Sequence, residues 1–323
     1  MIKRLHLCIQ WCKTWKALPV FNWIRGAKSF RSGKFREAAL LYERGLKSHP
    51  HHPAALCARL DLAYCYFRLR RFQDADDQLK VVLTKAPTMR EAYLRLARMQ
   101  LWTGQAMSAA WTLRRALREF GTDADLVSTF LQAVLDNGGP NYLLQEGVEF
   151  LKQLPPSDRA SSKLEIAAAR LAIFRGDYKT GRGNLARLTA GATPPFEALV
   201  AYAEALIAEG RIAHSRQQLR RALQIAPDHP RVLSLFAESY LKSGPFYNPE
   251  FARQLALSAC QNSGWCGPRE MHILAEAYLA NNERITALAV AHKAKEAGTR
   301  LLGNYRDVRT IDKLIEALSQ NPS

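Results

Sequence analysis

The chain has 323 residues, 48% of them hydrophobic and 23% charged, with ordinary glycine (18) and proline (15) content. That composition supplies a sizeable core and excludes a wholly disordered, collagen-like or linker-like polymer. Forty-six lysines and arginines against 29 acidic residues leave a formal charge of +17, which suits an anionic partner: nucleic acid, a membrane surface or an acidic protein.

The charge is concentrated at the start. Residues 1–50 hold 11 basic and 2 acidic residues, and none of the acidic ones precedes Glu37. Met1, Ile2, Leu5, Cys8, Ile9, Cys12 and Trp15 share one helical arc, opposite Lys3, His6, Gln10, Lys13 and Thr14, and Pro19 ends the segment. A basic amphipathic helix over residues 1–19 is therefore expected. One expectation sets Lys3, Arg4, Lys13 and Lys16 against an anionic membrane surface or partner, with Trp11 and Trp15 at the interface. The other packs the same helix on the fold behind it; Lys16 intrudes on the apolar arc and departs from the amphipathic pattern. No run of about 18 apolar residues predicts a membrane-spanning helix, and no apolar core with a cleavage site predicts a signal peptide. Six cysteines without zinc-ligand spacing predict reduced thiols and a cytoplasmic protein, peripheral at most to a membrane face.

From residue 20 onward every strong segment has a helical period, and one pattern recurs. "GKFREAALLYERGLKSHP" (33–50) returns as "RRFQDADDQLKVVLTKAP", "TGQAMSAAWTLRRALREFG", "RGDYKTGRGNLARLTAGATP", "EGRIAHSRQQLRRALQIAP" and "NNERITALAVAHKAKEAG". Small anchors stand at Ala38, Ala75, Ala109, Gly181, Ser215 and Ala287, with weaker copies at Leu143 and Ala252. Successive anchors are 37, 34, 34, 38, 34, 37 and 35 residues apart. Twelve positions before six of them lie Gly26, Ala63, Ala97, Ala169, Ala203 and Ala275, because two antiparallel helices approach closely only where small side chains meet.

This period of two helices resembles the tetratricopeptide repeat family over residues 20–302, about eight repeats. The resemblance implies an all-α, right-handed superhelical solenoid of antiparallel helix pairs. Residues 303–323 then supply a C-terminal cap, expected as a helix over 304–319 with Val308, Ile311, Leu314, Ile315 and Leu318 on its apolar face. Departures from the family pattern are Leu131 and Leu143, which replace small residues in the fourth repeat, and "SGPFYNPE" (243–250), which lengthens a turn in the seventh.

No catalytic signature is present: no HExxH, no phosphate-binding or dinucleotide glycine loop, no nucleophile elbow. The expectation is a non-enzymatic scaffold without cofactor or metal, His49, His51 and His52 forming a plain polar loop. The resemblance implies that the first helix of each pair lines an inner groove. Its groove positions include Tyr64 and Phe67, then Arg98 and Trp102, then Arg170 and Phe174, and finally Glu204, Glu238 and Glu276. These nine residues are the candidate ligand contacts for a peptide or helix, with aromatic anchors and charges fixing direction. The competing expectation is that they pair with one another across repeats. A chaperone-tail clamp is not expected, since Trp23, Ala27 and Asp61 occupy its positions. Arginine clusters at 68–71, 114–118 and 216–221 leave nucleic-acid binding as the alternative function.

Overall fold

The computed structural model describes residues 21–139, 141–159, 161–299 and 307–320. The N-terminal helix expected over 1–19, with Lys3, Arg4, Trp11, Lys13, Trp15 and Lys16, lies outside them. The described residues contain helices and turns and no strand. In chain order the helices are α1 (Phe21–Arg31), α2 (Phe35–Ser48), α3 (Ala55–Arg68), α4 (Phe72–Lys85), α5 (Arg90–Trp102) and α6 (Ala106–Phe120). Next come α7 (Ala124–Asp136), α8 (Asn141–Gln153), the single turn α9 (Pro156–Arg159), α10 (Ser162–Phe174), α11 (Tyr178–Thr189) and α12 (Phe196–Ala208). Last are α13 (Ile212–Ile225), α14 (Pro230–Leu241), α15 (Pro249–Asn262), α16 (Pro268–Ala280), α17 (Arg284–Thr299) and α18 (Val308–Gln320). Apart from α9 and α18, they follow one another as helix pairs. The chain divides into two compact units, residues 1–99 and 100–323, with the boundary inside α5.

The small-residue anchors do what close packing requires. Ala38, Ala75, Ala109, Ser215, Ala252 and Ala287 are fully buried, as are Ala97, Ala169, Ala203 and Ala275 on first helices. A Cβ on Gly181 would stand 2.5 Å from the Ala169 carbonyl, so α10 and α11 cross where only a glycine fits. At the equivalent crossing of α12 and α13, the Ser215 hydroxyl donates to the Ala203 carbonyl at 3.0 Å. The fourth pair accommodates Leu131 and Leu143 by a different device. Both are fully buried, and Gly147, one turn further along α8, leaves the space that Leu131 fills: a Cβ there would sit 2.7 Å from its methyl.

Three-residue turns close most pairs, and their middle residue has positive φ: Gly33, Gly104, Gly176 and Gly210. Arg70 and Asn282 hold the same slot at φ 60° and 63°, a left-handed conformation in which the Cβ crowds the following carbonyl at a cost of about 1 kcal/mol or more. The seventh pair departs, with seven residues (242–248) between α14 and α15.

In the first unit, Trp23 of α1 lies across Gly45 of α2, donating its indole N–H to the Tyr42 carbonyl at 3.4 Å. A Cβ on Gly45 would fall 2.2 Å from that indole nitrogen. Gly45→Ala is therefore expected to destabilise this unit by about 1–3 kcal/mol, despite alanine's better helix propensity. Urea unfolding of the full-length variant measures it. At the other end of the chain, α18 places Ile311 and Leu318 in the core, with Val308, Leu314 and Ile315 packed on Met271, Leu274 and Val290. Lys295 of α17 pairs with Asp312 of α18 at 2.7 Å.

Candidate functional site

The first unit carries a strip of five aromatic rings. Helix periodicity puts Phe30 at the end of α1 and Tyr64 and Phe67 at the end of α3, while the short turns bring Phe35 and Phe72 beside them. Ring centroids run Phe30–Phe35 5.9 Å, Phe35–Tyr64 5.8 Å, Tyr64–Phe67 6.2 Å and Phe67–Phe72 5.8 Å, with Phe30–Tyr64 at 5.4 Å closing a triangle. All five are half-buried. Arg68 lies over Phe35, its guanidinium carbon 4.7 Å from the centroid, and donates to the Tyr64 hydroxyl at 3.3 Å. Among the described residues no carboxylate pairs with Arg68, and none pairs with the exposed Arg98. Beneath the strip, Asp61 accepts from Tyr42 at 3.1 Å and from Arg95 at 3.4 Å, which holds α2, α3 and α5 together. Burial pushes its carboxyl up, against the pull of Arg95. The charge at the position a chaperone-tail clamp would use is thus spent inside the unit.

In the second unit the charges offered to a ligand have found each other. Arg170 of α10 donates to Asp136 at 2.6 Å and lies 3.7 Å from Glu204. Arg231 grips Glu204 with bonds of 3.0 and 2.9 Å and stands 3.6 Å from Asp136. Arg269 donates to Glu204 at 2.7 Å and to Glu238 at 3.3 Å. Three guanidiniums and three carboxylates, each about six-sevenths buried, compensate one another: side-chain exposure is 14–16% throughout. Of the sequence-derived set, Arg170, Glu204 and Glu238 meet in this cluster. Glu276 stands apart, 3.5 Å from His272, and Phe174 is exposed beside Gly139. Asp136, Arg231 and Arg269 were missed. Asp136 was legible, lying 34 residues before Arg170 as Glu204 lies 34 after it; so were the two arginines, each seven residues before a groove glutamate, Arg231 before Glu238 and Arg269 before Glu276.

Trp102 is also engaged. Its ring stands 4.5 Å from that of His229, and its indole donates to the Asn262 carbonyl at 3.4 Å, while the Asn262 amide donates to the Asp228 carbonyl. His229 is wedged against Phe196 on its other side at 4.9 Å. Burial, with Arg231 nearby, holds its imidazole down to about 4. Next to this contact, Gly104 and Gly267 approach so closely that a Cβ on Gly104 would sit 2.6 Å from the Gly267 Cα. Glu270, buried with one carboxylate oxygen lacking a partner, is lodged against both. Burial pushes its carboxyl up; Arg231 and Arg269 pull the other way.

The arginine clusters raised for nucleic acid are largely consumed. Arg114 and Arg118 hold Glu146 at 2.6 and 3.2 Å, and Arg221 donates to the Thr189 and Gly191 carbonyls. Arg216 is buried. The insertion after α14 covers it, which repeat arithmetic could not foresee. His52 accepts from the Ala54 amide and packs edge-on against Trp23. Among the described residues no group of histidines, cysteines and carboxylates is placed to hold a metal ion, and no helix is long and apolar enough to cross a membrane.

Consecutive helix pairs with buried small-residue crossings define a helical-repeat fold. The tetratricopeptide repeat family models match residues 30–89 and 196–239. The fold is similar to that of a tetratricopeptide repeat protein from Parabacteroides merdae, at 12% identity and TM-score 0.52, covering 93% of this chain and 98% of that one. It is also similar to a chain of the APC/C hetero-tetramer Cut9–Hcn1, at 11% identity and TM-score 0.65, covering 93% and 62%. A third likeness is to the human IFIT1 dimer with m7Gppp-AAAA, at 12% identity and TM-score 0.51, covering 93% and 72%. No curated protein matches the chain. It is a tetratricopeptide repeat protein, and such repeats generally serve as protein-interaction scaffolds.

Proposed function

We propose that the chain is a non-enzymatic, cytoplasmic adaptor that captures a partner protein segment on the aromatic strip of its first unit. The observation that carries this reading is the strip itself: five half-buried rings, with Arg68 lying over Phe35 and not neutralised by a carboxylate among the described residues. Such a surface grips apolar side chains while its cation orients an acidic neighbour. The strained backbone of Arg70 lies at the turn beside it, as strain at recognition sites commonly does. Protein is favoured over nucleic acid as the ligand because Arg114, Arg118 and Arg221 are engaged internally. Residues 1–19 are assigned an accessory contact with an anionic surface.

Affinity capture with the intact chain, repeated with Tyr64→Ala combined with Arg68→Glu, tests the reading. The double variant is expected to weaken the captured partner by about 1–2 kcal/mol or more. Removal of residues 1–19 should leave the direct contact in place. If the double variant binds like the original while the truncation abolishes binding, the strip is not the site.

A further inference from the structure

The insertion in the seventh pair builds something the other pairs lack. Arg216 of α13 is 6% exposed, and among the described residues no carboxylate is paired with it. Its guanidinium carbon lies 3.9 Å from the centroid of Tyr240, 4.4 Å from Phe246 and 5.6 Å from Phe236. Nη2 donates to the Tyr240 hydroxyl, while Nε and Nη1 are buried without any hydrogen-bond partner. A buried cation without a counter-ion carries a heavy desolvation penalty, and stacking on rings offsets only part of it. The box is held from outside the repeat: the Asn248 amide donates to the Tyr240 carbonyl at 2.9 Å, and the Asn248 side chain caps α15. Its outer wall is Phe246, which is 38% exposed. Tyr247 and Phe251 stand out beside it, also exposed, with Phe251 edge-on to Tyr240 at 4.9 Å.

We propose that this box is a second recognition site, independent of the aromatic strip, for a glutamate or aspartate side chain in a partner segment. Phe246 is the lid. The partner's carboxylate replaces it against the Nε and Nη1 groups of Arg216, and apolar residues flanking the acid settle on Tyr247 and Phe251. The single charge decides the ligand class. Arg216 is the one cation stacked on these rings among the described residues, which suits a monoanionic carboxylate; a phosphate, nearly twice as charged, is met by clustered cations.

The test uses the full chain and a fluorescent peptide blocked at both ends, Ser-Leu-Phe-Glu-Leu-Phe-Ser, beside its twin with Gln for Glu. The intact protein is expected to prefer the Glu peptide by about tenfold, as a charge-assisted hydrogen bond would give. Arg216→Met should abolish the preference while melting at no lower a temperature, since a buried unpaired cation is replaced by an apolar chain of similar length. Phe246→Ala should keep the preference and bind at least as well, and Tyr64→Ala with Arg68→Glu should also keep it. Equal binding of the twins to the intact protein overturns the proposal. So does a preference that survives Arg216→Met, or an Arg216→Met variant that melts earlier, which would make the cation purely structural. Loss of the preference in the strip variant would assign it to the other site.

Discussion

Replacing Glu204 by glutamine is expected to destabilise the second unit by about 3–5 kcal/mol, the loss found when one partner of a buried ion cluster is removed. Glu204 is where Arg170, Arg231 and Arg269 converge. Without its charge, Asp136 and Glu238 are left facing three guanidiniums. The exposed pair Lys152–Glu149, with both side chains more than 60% accessible, supplies the comparison: Glu149→Gln should cost less than about 1 kcal/mol. Denaturant unfolding followed by circular dichroism reads both. A Glu204→Gln loss no larger than that of Glu149→Gln would mean that the cluster is not what holds these helices.

Two buried groups near Trp102 should shape the pH dependence in opposite directions. Glu270 has a raised folded-state pKa through burial, so the stability it permits is present below the usual carboxyl range and is lost as pH rises toward the raised value. The groups facing it are Arg231, Arg269 and Asp136, with the Gly104 and Gly267 backbones against its carboxylate. Glu270→Gln should accordingly match the original near pH 4 and gain on it by up to about 1.4 kcal/mol per pH unit above that. His229 acts at the acid side. Its folded value of about 4 against an ordinary 6.5 means stability present above pH 6.5 is lost as pH falls toward 4, by about 3 kcal/mol in total. His229→Phe should flatten that limb. Urea midpoints at intervals from pH 4 to 8 for the two variants separate the contributions, and parallel curves for original and Glu270→Gln would show that the carboxyl does not titrate as burial dictates.

The sequence made the local architecture readable and the distant contacts unreadable, for one physical reason. Small residues twelve apart, such as Ala169 with Gly181, mark a helix crossing inside one pair, and the period carries them from pair to pair. The aromatics Tyr64 and Phe67 were visible for the same reason, and the structure adds Phe30, Phe35 and Phe72 because short turns deliver them to the same edge. Pairing among Arg170, Glu204 and Glu238 was foreseeable only as an alternative. Charges in register along stacked helices face either a ligand or each other, and the register of Arg231 and Arg269, each seven residues before a groove glutamate, does not by itself say which. Trp102 was read as a ligand anchor, whereas its nearest indole acceptor lies 160 residues away at Asn262. No periodicity encodes such a contact.

That contact has a bearing on how this chain can vary over evolutionary time. An array whose members touch only their neighbours lengthens or shortens freely, because each added pair extends the stack and disturbs nothing beyond it. Here the segment 100–105 meets residues 228–229 and 262–270 of the same unit, with a glycine-to-glycine approach that leaves no slack. Gaining or losing one pair between those points would displace the two sides by a whole repeat, parting Trp102 from His229 and Gly104 from Gly267. The pairs from α7 to α15 are therefore locked in number, and duplication or deletion, the usual route by which repeat proteins change length, is open to this unit only beyond that span.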